Sequence, residues 1–159
     1  MDELLAHTDE ILRTYAIATP AARLRAIRQR LASAHAEMGP TRLVTVVAAV
    51  EALCRSLIVH SAGRPPSTAE MRHRQFRETG AVELVQEVLR LRAAPGAAEL
   101  FGPQVWERFE VALRYRDLIV HECTYIGRDA HADLITAVTT VLRGVIELAG
   151  LDSGLQAVA

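Results

Sequence analysis

The chain's 159 residues are enough for one domain with a real core and too few for two comfortable ones. Half of them are apolar but only 4% are aromatic, and Ala, Leu and Val dominate the apolar set, which suits close-packed helices and argues against a sandwich of strands. A net charge of -1 excludes the broad basic field of a general nucleic-acid binder, so any RNA contact must be local.

All 18 basic residues are arginine, which reads as compositional background. The acidic opening Met1-Asp2-Glu3-Leu4-Leu5 lacks the basic segment and apolar stretch of a secretory signal. The longest apolar run, Leu43 to Leu53, is interrupted by Thr45 and Glu51 and is too short to span a bilayer. A cytoplasmic protein away from membranes is expected. Cys54 and Cys123 both fall on apolar helical arcs and are expected as free, buried thiols of a reducing compartment.

Helical spacing of Leu4, Leu5, His7, Ile11, Leu12, Tyr15 and Ala18 predicts a first helix over about 2–18. Thr19-Pro20 supplies an N-cap and a first-turn proline for a second helix, about 20–38, which ends at Gly39-Pro40. Its Arg23, Arg25, Arg28 and Arg30 scatter around the stripe of Leu24, Ile27 and Leu31, as a solvated face does. A third helix, about 41–62, carries an arc wide enough to be central in a bundle. After the linker Gly63-Arg64-Pro65-Pro66, Ser67 and Glu70 match a capping box for a short helix. That helix holds Arg72, Arg74 and Arg77, the most basic window in the chain and a weak candidate for RNA contact, beside Phe76. Further helices are expected over about 81–92, 103–123 and 129–149, separated by Pro and Gly. Residues 1–150 read as one domain, and 151–159 as a loose tail.

The site signal lies in Arg114-Tyr115-Arg116-Asp117-Leu118-Ile119-Val120-His121-Glu122-Cys123. On a wheel of about 100° per residue, Val105, Trp106, Phe109, Ala112, Leu113, Ile119, Val120 and Cys123 form one arc, with Arg116 near its middle. Burying a guanidinium alone costs several kcal/mol, so Arg116 must be paired, lie at an interface, or face an anion-binding cleft. Asp117 and His121 are four apart and share the margin of the arc. Upstream, Glu51 and Arg55 have the same spacing, which an ordinary surface ion pair would also explain. Arg55-Ser-Leu-Ile-Val-His60 nearly copies the later motif, but only there is Asp next to Arg and the arginine within an apolar arc.

Arg116, Asp117 and His121 near the end of a long helix, with Glu51-x-x-x-Arg55 upstream, resemble the motifs of the HEPN superfamily, small helical domains many of which are ribonucleases. The resemblance covers most of the chain. It implies an all-α, up-down bundle with extra short helices. It also implies a homodimer whose motif helices line a shared cleft, and cleavage of RNA to a 2',3'-cyclic phosphate and a free 5'-hydroxyl. Several members are toxins of toxin-antitoxin or phage-defence systems, with a nucleotidyltransferase-like partner.

The residue types suit that chemistry without a metal or cofactor. Histidine moves protons near neutral pH, worth about 10² to 10⁴ in rate. Arginine's fork grips phosphate and never loses charge. Asp117 would orient the imidazole of His121, or simply pair with it. Tyr125 would line the site or cap the core. Asp129-x-His131-x-Asp133 offers metal-type ligands, but alternate helical positions point about 200° apart and cannot close on one ion. Two other readings stay open: a catalytically silent HEPN domain that binds RNA, a nucleotide or a protein, and a ligand-free scaffold with Arg116 in an internal salt bridge.

Overall fold

A computed structural model describes residues 1–33, 39–123 and 128–151; of Tyr15 and of 128–130 the backbone alone is described. The fold is all-α. Its elements are α1 (Asp2–Ala16), α2 (Pro20–Ser33), α3 (Pro40–Val59), a 3-10 turn (Pro66–Thr68), α4 (Ala69–Phe76), α5 (Ala81–Leu91), α6 (Ala97–Phe101), α7 (Pro103–Glu122) and α8 (Arg128–Leu148). No strand occurs among the described residues. None of the described helices is long and apolar enough to cross a membrane.

The starts of α2, α3 and α7 follow from proline at the first turn, where the ring removes only a donor that would go unused. Thr19 caps α2 as its spacing predicts: the Ala22 amide donates to Thr19 Oγ1 at 3.3 Å. Gly39, at φ 62°, turns the chain into α3 in a region that a side chain rarely tolerates.

α3 is the central helix and packs against α2, α4, α5, α7 and α8. Its Leu43, Val47, Val50, Leu53, Cys54 and Val59 are fully buried, each large side chain contributing about 1.5–3 kcal/mol by leaving water. Leu84, Val85 and Val88 of α5 and Val138, Val141, Val145 and Ile146 of α8 complete this core. Phe101, Trp106 and Phe109 stack in sequence, with ring centroids 6.0 Å and 5.0 Å apart. Gly144 of α8 leaves room for Phe101: a Cβ there would lie 2.5 Å from the ring.

Several expectations need correction. α1 is not packed along its apolar stripe; Leu4, Leu5 and Leu12 are 60–67% exposed, although the helix does touch α4. The Ser67–Glu70 capping box does not form. The 3-10 turn occupies that position, and the cap residue of α4 is Thr68, whose hydroxyl instead donates to the Pro65 carbonyl at 3.0 Å. α6 is an element beyond those expected. The apolar arc of α7 ends early: Trp106, Phe109 and Ala112 are buried, but Val120 is 52% exposed. Cys123 is exposed as well, in a left-handed conformation at the C-cap of α7. Cys54 alone is the buried thiol, and burial pushes its pKa up to about 12.

Candidate functional site

α3 and α7 lie side by side, so polar groups on their facing margins can meet. Glu51, midway along α3, and Arg116, late in α7, do so. Arg116 Nη2 donates to Glu51 Oε1 at 2.8 Å, with both side chains 19% exposed. Arg116 Nε donates to Asp117 Oδ1 at 2.7 Å, and Asp117 is 57% exposed. Burial alone would lower the arginine's pKa, but the hydrogen bonds and charges of Glu51 and Asp117 outweigh it and the net shift is upward. Arg116 is therefore a fixed cation held by two carboxylates, one partly desolvated and one in solvent.

Helical spacing alone would pair Glu51 with Arg55, and the fold chooses otherwise. Glu51 turns to α7, while Arg55 Nε is buried with no hydrogen-bond partner among the described residues. Asp117 likewise turns to Arg116 and makes no hydrogen bond to His121, so it does not hold the imidazole within one chain. His121 is exposed on the last turn of α7. Residues five apart point about 140° from each other on an ideal helix, so Arg116 reaches toward α3 while His121 stands in solvent. Beside His121, Leu118 and Val120 are 41% and 52% exposed, an apolar surface next to the polar cluster. Tyr125 lies outside the described residues.

The near copy in α3 has a structural use. His60 Nε2 donates to the Ile17 carbonyl at 3.0 Å and ties the end of α3 to the chain leaving α1. Arg72 does not belong to an exposed basic patch. It is 5% exposed, with Nε donating to the Val59 carbonyl at 2.6 Å and Nη1 to the Pro65 carbonyl at 3.2 Å and to the Thr68 hydroxyl. It fastens α4 to the end of α3. Arg74 and Arg77 are exposed, and Arg77 Nε donates to Glu78 at 3.2 Å. Across the Asp129-x-His131-x-Asp133 pattern, His131 is 2% exposed and Asp133 lies in solvent; Asp129's side chain is outside the described set. No group of three metal-type ligands occurs among the described residues.

The partnership the residue pattern did not signal is that of Glu51 with Arg116. Local spacing ranks partners within one helix, whereas this one depends on how α3 and α7 pack. No family model matches the chain, and comparison with curated proteins and with solved structures finds no match.

Proposed function

We propose that the chain is a metal-independent endoribonuclease that acts as a homodimer, with Arg116 and His121 of two copies meeting across a cleft formed by the ends of α7. The observation that carries this reading is the composition of that end. A partly buried arginine, an exposed imidazole and the exposed apolar Leu118 and Val120 lie within six residues of one helix. One copy separates the arginine from the histidine, so a second must bring the complementary group.

In such a cleft, His121 takes the proton from the ribose 2'-hydroxyl, and the partner's imidazole protonates the departing 5'-oxygen. Arg116 neutralises charge building on the phosphorane. Glu51 is a positioning residue for Arg116. The solvent-facing Asp117 is the carboxylate that an incoming phosphate displaces from Arg116 Nε. The products are a 2',3'-cyclic phosphate and a 5'-hydroxyl. The motifs' resemblance to HEPN toxins supports a role in a toxin-antitoxin or phage-defence system, with a nucleotidyltransferase-like antitoxin as partner.

One observation favours a catalytically silent domain that binds RNA, a nucleotide or a protein, and equally the ligand-free scaffold, for which an internal salt bridge of Arg116 is expected. Arg116 is already matched by two carboxylates, and phosphate must compete with them. The test is cleavage of labelled single-stranded RNA in EDTA by the wild type and by His121→Ala, with matched DNA as control. Cleavage of RNA by the wild type alone supports the enzyme, since DNA lacks the attacking hydroxyl. Folded, dimeric protein that leaves RNA intact supports the silent domain.

A further inference from the structure

A second polar feature lies away from the end of α7. A cleft of about 600 Å³ opens between α1 and α4, lined by Leu12, Arg13, Glu70, His73, Arg74 and Arg77 among others. Its size is within the range of small-molecule sites. Three arginines and one carboxylate line it; Arg77 is paired with Glu78 outside the lining, and neither Arg13 nor Arg74 is paired with an acid among the described residues.

The positive charge continues behind the lining. His73 holds its proton less readily than an ordinary histidine, first because of burial and then because of the charges of Arg55, Arg23 and Arg77. Those three cations, from α3, α2 and the C-cap of α4, are thus close enough to act on one imidazole. Arg23 is held in place by a hydrogen bond from Nε to Ser56 Oγ at 3.2 Å, and Ser56 is itself buried. Arg55 Nε is a buried donor without a hydrogen-bond partner among the described residues.

We propose that the cleft between α1 and α4 binds a phosphate-bearing ligand, gripped at the rim by Arg13, Arg74 and Arg77. Phosphate suits the arrangement better than a single carboxylate. Arginine forks pair with its several oxygens, and a doubly charged group matches an excess of cations that one carboxylate leaves unmet. Leu12 and Ala16 of α1 give the cleft an apolar wall for the body of such a ligand.

The test is calorimetric titration of the full chain with inorganic tripolyphosphate, with citrate at matched ionic strength, and with a short single-stranded RNA. Each titration is repeated on the double variant Arg13→Ala, Arg77→Ala. Both substituted side chains are exposed, so circular dichroism and the melting midpoint should not change. The expected result is saturable binding of tripolyphosphate, weaker by about tenfold or more for citrate and for the double variant. RNA that displaces tripolyphosphate assigns the site to a nucleic-acid backbone; RNA that does not assigns it to a small phosphate compound. The proposal is overturned if neither phosphate ligand binds saturably, if citrate binds as tightly as tripolyphosphate, or if binding persists undiminished in the folded double variant. No step reads cleavage, so failure here leaves the ribonuclease reading standing, and the reverse also holds.

Discussion

Arg116 and Glu51 are 65 positions apart in the chain, yet Arg116 Nη2 reaches Glu51 Oε1 at 2.8 Å. Each side chain is 19% exposed, so the pair is screened less than a surface ion pair. A double-mutant cycle of Glu51→Gln and Arg116→Gln should give a coupling of about 1–2 kcal/mol in urea denaturation. Glu51→Gln should lower any RNA cleavage by freeing Arg116 from its position, with a larger effect on kcat than on KM. A coupling indistinguishable from zero would mean that the pair does not hold α3 to α7.

That pair also marks how far the sequence could be read. Helix starts were legible where Thr19-Pro20, Gly39-Pro40 and Gly102-Pro103 punctuate the chain, because proline and glycine act through the backbone of their own neighbourhood. The core stripes of α2, α3, α5 and α8 were legible for the same local reason. α6 is only Ala97–Phe101, too short to show a helical period. Glu51 offered Arg55 at helical spacing, and only the packing of α3 on α7 gives it Arg116 instead. The Cys123 expectation failed because a wheel extends an apolar arc without knowing which turns other elements cover.

Arg72 illustrates the same limit and yields a stability prediction. In sequence it sits among Arg74 and Arg77 as part of a basic window, but its partners are carbonyls and a hydroxyl, which leave no charge pattern to read. Arg72→Met keeps most of the volume but strands the Val59 and Pro65 carbonyls. It should destabilise the fold by about 3 kcal/mol in urea denaturation. A loss below about 1 kcal/mol would show that water replaces the guanidinium at little cost.

The two thiols should be chemically distinct. Cys123 is exposed, whereas Cys54 is fully buried with its pKa pushed up to about 12 by burial. A disulfide reagent at pH 8 should label one thiol per chain quickly in the native protein and the second only on unfolding, since the thiolate is the reactive form. Cys123→Ala should remove the fast phase and leave the slow one. Equal rates for both thiols would contradict the placement of Cys54 inside the core.

His73 should govern part of the acid side of the stability profile. In the folded chain its pKa is lowered from 6.5, by burial first and then by Arg55, Arg23 and Arg77. The unfolded chain, free of those influences, binds the proton more readily. Over the pH range between the two pKa values the unfolded state therefore carries more protons, and stability rises with pH. The penalty is absent above the unfolded value of 6.5 and grows as pH falls through it. Glu87, held below 4.5 chiefly by its hydrogen bond from Arg90, loses its contribution at lower pH and does not mask this window. Urea denaturation of wild type and His73→Gln between pH 7 and 5 should show the variant losing less stability on acidification. Added salt should shrink the difference in part, because it screens the arginines but does not undo burial. Parallel profiles would show that the arginines do not act on His73, and would remove their field as support for an anion site between α1 and α4.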